Sequence, residues 1–267
     1  MIVELGKASE IVREIARLAR ESPFHSYLLH SAVYDPRSVA WLHVSRDGRI
    51  EGYALLCKRL RGLHAHFWGS LPEDVLRGLA NHLRGHPSVI LHVHSSELED
   101  RVARLAKSLF RTVIDDELVE LAVDRASLSP ITVASTCIRA LDPFSGSDAA
   151  AFAALEKERG VELSIDAARD ELLEQLCFGA FVNGELASIA CSLARTRYAW
   201  IVEDVFTRDR YRGMGLGSAV LHKLARAGVE AGALVAAAVR ASCPARRMYR
   251  RLGFREIGSR KVFIGSI

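Results

Sequence analysis

The sequence lacks long hydrophobic runs and has few cysteines. No stretch of about 18 consecutive apolar residues occurs, which excludes a hydrophobic transmembrane helix. Charged residues interrupt the apolar residues of the first segment, so we expect no secretory signal. Only five cysteines are present, and no two of them have CxxC spacing. We therefore expect a cytoplasmic protein with buried or idle thiols and no membrane contact.

What is present is a globular composition with an uneven distribution of charge. The chain has 267 residues, of which 49% are hydrophobic and 25% charged, which is ordinary for a soluble globular protein. This length is sufficient for two hydrophobic cores. Residues 208–260 carry 12 basic side chains against three acidic ones, Asp209, Glu230 and Glu256. That excess predicts an anionic partner, either a nucleic acid or a small polyphosphate.

The predicted elements follow one order in both halves of the chain. Each half is predicted to contain helices, three strands, a helix, a strand, a helix and a final strand. Asp47-Gly48 and Asn183-Gly184 mark a hairpin in the first and second half, respectively. A polar segment at residues 125–136 separates the halves. The layout indicates two copies of one α/β fold.

The strongest motif is the loop Arg212-Gly213-Met214-Gly215-Leu216-Gly217. It lies between a predicted strand, Ala199–Thr207, and a predicted helix, Leu216–Ala231. Glycines allow the backbone to approach a ligand, and amides at a helix N-terminus favour phosphate oxygens. The spacing is GxGxG rather than GxGxxG, and the Walker lysine is absent, so the two commoner phosphate loops are excluded.

The loop and a later segment together resemble the GNAT superfamily of acyl-CoA-dependent N-acyltransferases. The family's loop pattern, Q/R-x-x-G-x-G/A, is met by Arg212, Gly215 and Gly217. The later ending, a Tyr followed by Gly-Phe, is met by Tyr249, Gly253 and Phe254. The clear resemblance covers about residues 140–265, whereas the first half is similar in element order only.

The resemblance implies two GNAT-like domains of α/β (α+β) type. Each would have a mixed, mostly antiparallel sheet flanked by helices. Residues 1–126 would form a degenerate domain without a phosphate loop, and residues 127–267 the catalytic domain. The two domains would form a pseudo-dimer within a monomer, or the chain would be a homodimer.

The resemblance also implies the binding site for acetyl-CoA or another acyl-CoA. The pyrophosphate would rest on the loop amides, and the pantetheine arm would run along the edge of the preceding strand, in a gap between it and the strand Leu234–Arg240. The implied binding residues are Val205, Phe206, Thr207, Arg208, Arg212, Gly213, Met214, Gly215, Leu216, Gly217, Ser218 and Ser242. Ser242 stands where the family often has Asn, and its reach is shorter.

Two residues are predicted to carry the chemistry. A protonated amine is not a nucleophile, so the ammonium must lose a proton before it attacks a thioester. A carboxylate can accept that proton directly or through water. Glu203 and Asp204 lie on the predicted strand and point to opposite faces, and the family position favours Glu203. Tyr249 is placed to protonate the leaving thiolate. The structural alternatives are an ion-pair role for Glu203 and a core position for Tyr249.

The first half lacks the phosphate loop and is rich in histidine. Its corresponding loop, residues 69–74, has one glycine, no arginine and two acidic residues, so we expect no CoA binding there. Nine of the ten histidines lie within residues 25–94; His64 and His66 share one strand face, and His92 and His94 share another. Four imidazoles could bind a metal. Because no carboxylate or cysteine spacing accompanies them, we favour half-buried or groove-lining histidines and expect no metal.

The sequence thus predicts an N-acyltransferase, most simply an N-acetyltransferase. The acceptor would be a small-molecule or peptide amine. The alternatives are a non-catalytic acyl-CoA sensor and a nucleic-acid-binding module, but no basic stripe interleaved with aromatic residues supports the latter. We therefore expect no nucleic-acid partner.

Overall fold

The computed structural model describes residues 2–4, 9–35, 37–131 and 137–266. The described helices are α1 Ser9–Glu21, α2 Ser26–Tyr34, α3 Glu73–Leu83, α4 Glu99–Leu109, α5 Gly146–Glu158, α6 Ile165–Glu174, α7 Leu216–Glu230 and α8 Arg246–Arg251. The described strands are β1 Ile2–Glu4, β2 Val39–Val44, β3 Ile50–Arg59, β4 Gly62–Gly69, β5 Ser88–Val93, β6 Thr112–Val123, β7 Cys137–Ala140, β8 Leu176–Val182, β9 Glu185–Arg195, β10 Ala199–Thr207, β11 Leu234–Arg240 and β12 Arg255–Ser266. Over these ranges, no helix is both long and apolar enough to cross a membrane.

The chain divides into two compact units. The first contains the described residues up to Glu120, Val239–Ser242 and those from Ile257 onward; the second contains Leu121–Ala238 and Cys243–Glu256. The domain boundary at 126/127 stays a prediction. The compact units differ from it most at the C-terminal end, since residues 257–266 lie in the first unit.

The first unit contains a mixed, mostly antiparallel sheet. Its strands follow the order β1-β2-β3-β4-β5-β12, and only the β4–β5 pair is parallel. One face carries a core in which side chains of α3 and α4, such as Leu79 and Val102, join Phe67, Leu91 and Phe263 of the strands. Tyr27 of α2 packs against His66 on β4, with ring centroids 4.5 Å apart. His66 and Phe67 are neighbours on β4 and point to opposite faces, so helices contact both faces of this strand.

The second unit repeats that pairing pattern. Strands β7, β8, β9 and β10 pair antiparallel in sequence order, and β10 pairs parallel with β11. Phe152 and Leu155 of α5 and Leu172 of α6 pack with Ile189 of β9 in one core. The predicted fold class, a mixed and mostly antiparallel sheet flanked by helices, is confirmed.

The structure differs from the predicted elements in two details. The helix predicted at Leu216–Ala231 is α7, which ends at Glu230. The three-residue strand β1 was not predicted, because it is too short to show an alternating pattern. Asn183 and Gly184 both have positive φ, as the predicted tight hairpin turn requires.

The expectation that all cysteines would be reduced thiols is wrong for two of them. Cys177 on β8 and Cys191 on β9 are direct cross-strand neighbours and form a disulfide. Their separation of 14 residues carried no motif, because strand register rather than sequence spacing brings them together. Cys57, Cys137 and Cys243 are free.

Candidate functional site

The glycine loop forms one wall of a cavity in the second unit. The cavity has a volume of about 500 Å³ and is lined by Ile131, Thr207, Tyr211, Arg212, Gly213, Met214, Gly215, Leu216, Gly217, Ser218, Met248, Arg251 and Leu252. Thr207 and the whole run from Arg212 to Ser218 are among the predicted binding residues. Met248 and Leu252 flank Tyr249 in the chain, so the cavity joins the loop to α8 and the turn after it.

Backbone conformation explains the glycines of this loop. Gly215 is the N-cap of α7 and has a left-handed φ of 79°, and Gly213 has a φ of 81°. No heavy atom lies within 4 Å of the Cβ positions that a side chain would add at either residue. Glycine is therefore favoured there by conformation, and the adjoining space is open to a ligand. The exposed amides at the N-terminus of α7 favour an anionic group in that space.

The arginines before the loop have different surroundings. Arg208 is buried, donates from Nε to the Leu186 carbonyl at 2.7 Å, and lies 3.2 Å from Glu185. Arg212 instead is exposed at the cavity and lies 2.8 Å from Asp209. An exposed pair of that kind contributes little to stability. Of these two predicted binding residues, therefore, only Arg212 lines the cavity.

Glu203 lies at an irregularity in β10. Val202 pairs with Ser192 of β9 and Asp204 pairs with the next residue, Cys191, so Glu203 is an extra residue without a partner in that register. Such a bulge re-aims side chains and is common near functional sites. The Oε1 atom of Glu203 is buried, and no hydrogen-bond partner for it exists in the described part of the chain.

Asp204, the neighbouring carboxylate, is held in an ion pair. Arg159 donates to Asp204 Oδ1 at 2.9 Å and to Glu156 Oε1 at 2.6 Å. Arg159 also stacks over the ring of Phe206 at 4.5 Å. Glu156 is fully buried. The sequence did not indicate this network, because Glu156 and Arg159 lie at the end of α5 whereas Asp204 lies on β10, 45 residues after Arg159.

Strand β10 leaves β11 beside this bulge. The parallel register runs from Ala199↔Leu234 to Val202↔Ala237, whereas β10 continues to Thr207. In the described register, Val205, Phe206 and Thr207 pair with β9 only. The edge of β10 that faces away from β9 is consequently available at these three predicted binding residues.

Tyr249 is buried on α8. Its ring contacts Phe254 edge-on, with centroids 5.1 Å apart. Burial raises the pKa of its hydroxyl, and the charge of Asp204 adds to that effect. Tyr249 is therefore protonated at neutral pH and can donate a proton or hydrogen bond. Ser242 is exposed and belongs to the other compact unit.

Comparisons with known proteins find a family match in the second half of the chain. Residues 147–254 match the model of the acetyltransferase (GNAT) family. None of the curated proteins matches the sequence.

Solved structures share the fold along almost the whole chain. A Drosophila protein is 14% identical, with 100% of this chain and 98% of that chain covered and a TM-score of 0.72. A GCN5-related N-acetyltransferase-like protein from Streptococcus suis is 17% identical, with 96% and 98% covered and a TM-score of 0.64. A tandem GNAT protein from the clavulanic acid biosynthesis pathway is 14% identical, with 100% and 98% covered and a TM-score of 0.59. At these identities the likeness concerns the fold alone.

Proposed function

Residues 147–254 match the model of the acetyltransferase (GNAT) family, and from that match we propose that the protein is an acyl-CoA-dependent N-acyltransferase. The simplest donor is acetyl-CoA, and the acceptor is a primary amine that attacks the thioester directly while both substrates are bound. The observation that carries the proposal is the cavity of about 500 Å³ formed by the glycine loop and the segment around Tyr249.

The cavity suits the phosphate end of the donor. Its wall combines the N-terminus of α7 with Arg212 and Arg251, and it has open space beside Gly213 and Gly215. A pyrophosphate would accept hydrogen bonds from the loop amides and would be attracted by both guanidinium groups. The free edge of β10 after Val202 would then pair with the amides of the pantetheine arm, as an added strand does.

The acid–base roles follow from the surroundings of three side chains. Glu203 has a buried oxygen without a partner and would accept a proton from the acceptor ammonium, directly or through water. The neutral amine then forms the new C–N bond, its nitrogen releases a second proton to water, and the C–S bond breaks. Tyr249, which is protonated, would donate to the departing thiolate. Asp204 is less suited to the base role because Arg159 occupies its carboxylate.

The proposal is tested by a pair of glycine variants. Gly215→Glu and Gly232→Glu place the same side chain at left-handed positions, φ 79° and 80°, that both have open space around the Cβ. They therefore share the same conformational strain, but only Gly215 lines the cavity. Calorimetry should show acetyl-CoA binding to Gly232→Glu and to the unmodified protein, but none to Gly215→Glu.

Turnover distinguishes the enzyme from an acyl-CoA sensor. With a panel of primary amines, an acyltransferase releases the free thiol of CoA from acetyl-CoA. A sensor binds acetyl-CoA but releases no free thiol. If Gly215→Glu binds acetyl-CoA within about threefold of the unmodified protein, or about 0.7 kcal/mol, the loop assignment is wrong.

A further inference from the structure

Four histidines form a row in the first unit, here called the histidine ladder: His64 and His66 on β4, His92 and His94 at the end of β5. His66 lies opposite His92 in the strand register. Neighbouring rings are stacked, with centroid separations of 5.2 Å for His64–His92, 4.5 Å for His66–His92 and 5.4 Å for His66–His94. His66 is 1% exposed and His92 is 7% exposed.

The ring nitrogens of the ladder are close together. His64 Nδ1 lies 3.1 Å from His92 Nε2, and His66 Nδ1 lies 3.1 Å from His94 Nε2. One nitrogen each of His64, His66 and His92 lie within 4.8 Å of one another. Two imidazole nitrogens on a tetrahedral Zn²⁺, each about 2.0–2.1 Å from the ion, are about 3.4 Å apart. The 3.1 Å pair is near that spacing, and the third nitrogen, which lies within 4.8 Å of the other two, needs to move inward by at most about 1.4 Å through ring rotation.

Protein groups leave the ladder incompletely satisfied. The Nδ1 atom of His92 is buried and has no hydrogen-bond partner among the described residues. Buried polar atoms of this kind are rare and commonly indicate a bound water or ion. His66 also has the outer contact typical of a metal ligand, because its second ring nitrogen bonds to His94, whose Nδ1 lies 3.9 Å from Glu120.

The cations near the ladder are ion-paired. Arg260 donates to Glu120 at 2.6 Å, and Arg59 lies 3.7 Å from Asp35, which also pairs with Arg37. These carboxylates offset part of the repulsion that the guanidinium groups would exert on a metal ion.

We propose that His64, His66 and His92 bind one divalent first-row transition-metal ion of the Zn²⁺ class between β4 and β5. A site with imidazole ligands only suits Zn²⁺, Ni²⁺ or Cu²⁺ better than Mg²⁺ or Ca²⁺. The ion joins the two strands and thereby stabilises the first unit. The site lies outside the GNAT-family match at residues 147–254.

The test uses the full-length chain without an affinity tag, stripped with a chelator and titrated with Zn²⁺ or Co²⁺ chloride. We expect one ion per chain, a Co²⁺ absorption spectrum with nitrogen ligands, and a higher midpoint of thermal unfolding. His66→Gln and His92→Gln should each weaken binding at least about tenfold. His86→Gln should leave it unchanged, because His86 lies in the turn between α3 and β5, away from the ladder.

Folding is monitored by circular dichroism. His64→Gln serves as the third variant if the two more buried substitutions unfold the protein, because His64 is only partly buried. His64→Gln should weaken binding of the ion to the same extent. The proposal is overturned if the stripped chain binds neither ion at millimolar concentration, or if binding persists unchanged in a folded ladder variant.

Discussion

Glu203 and Asp204 are adjacent in the chain, yet their surroundings give them different chemistry. Asp204 is ion-paired with Arg159, whereas a buried oxygen of Glu203 has no partner among the described residues. The bulge in β10 creates this difference, since it removes Glu203 from the strand register. Regular alternation along a strand predicts opposite faces for the two residues but not this difference in pairing.

Replacing Glu203 should therefore lower turnover with little effect on donor binding. Glu203→Gln keeps the side chain's shape but removes the base, and loss of a general base lowers the rate by about 10²–10⁴-fold. The loss should become smaller at high pH, where more of the acceptor amine is already neutral. Initial rates and the acetyl-CoA dissociation constant, measured from neutral to alkaline pH, check both points. An unchanged rate at neutral pH would shift the role to Asp204 or to water.

The buried histidines should make the stability of the first unit depend on pH. Burial lowers the pKa of His25 to about 4 and of His64 to about 3, and those of His66, His92 and His94 fall well below 6.5. In the unfolded chain the same groups titrate near 6.5, so that state binds more protons below this pH. The first unit is therefore most stable above about pH 6.5, where these histidines are neutral in both states, and it loses stability as the pH falls below that value.

Each of these histidines should lower the free energy of unfolding by about 1.4 kcal/mol at one pH unit below 6.5. Several acting together would remove much of the stability of a typical domain. Urea unfolding of the metal-free protein at pH 7.5 and 5.5 measures how the free energy of unfolding changes with pH. The change should be smaller in a His66→Gln, His92→Gln double variant. An equal change in both proteins would contradict this account.

At the scale of single elements, the turn after α8 explains the Gly-Phe motif. Gly253 has a φ of 92°, and a Cβ atom there would lie 1.9 Å from the carbonyl oxygen of Ser127. The amide of Ser129 also donates to the Leu252 carbonyl at 3.1 Å. The glycine therefore allows the segment at Ser127–Ser129 to pack against the turn that follows Tyr249.

Gly253→Ala should destabilise the second unit by more than about 2 kcal/mol, because backbone strain adds to a steric overlap. Gly184→Ala is the matched control: its φ is 81°, and no atom lies within 4 Å of its Cβ position. That variant has the strain without the overlap, so its loss should be smaller. Urea unfolding compares the two. Equal losses would show that the approach of Ser127 is unimportant.

At the scale of the whole molecule, the last strand belongs to the first unit. Residues 261–266 of β12 pair antiparallel with residues 88–93 of β5. Phe263 is 4% exposed and packs in the core that includes Leu91 and Phe110. The chain therefore returns to its first unit after it has formed most of the second.

Deleting residues 257–267 should destabilise the first unit far more than the second. The deletion removes the hydrogen bonds that β12 makes to β5 and the burial of Phe263, which alone contributes about 1.5–3 kcal/mol. Hydrogen exchange should show loss of protection at residues 88–93, while α7 and β10 keep theirs. Equal loss in both units would indicate that the last strand is not specific to the first.

Local patterns predicted most of the elements and much of the cavity wall. Strand and helix periodicity placed β10 and β11 at their observed bounds, and the glycine spacing located the loop. Long-range pairing was beyond these patterns. The return of β12 to β5, the Cys177–Cys191 disulfide and the Arg159–Asp204 pair all depend on register and packing between segments distant in sequence.

The late position of β12 in the chain has a consequence for biosynthesis. Domains generally fold as units during translation, N-terminal segments first. Here the nascent first unit has an incomplete sheet until the ribosome has translated β12, because the residues that pair with β5 follow the second unit in the chain. Until then the backbone groups of β5 that await β12 form an open edge, which is a known template for aggregation. A stalled or prematurely terminated chain would keep that edge open and become a client for chaperones, even if its second unit had already folded.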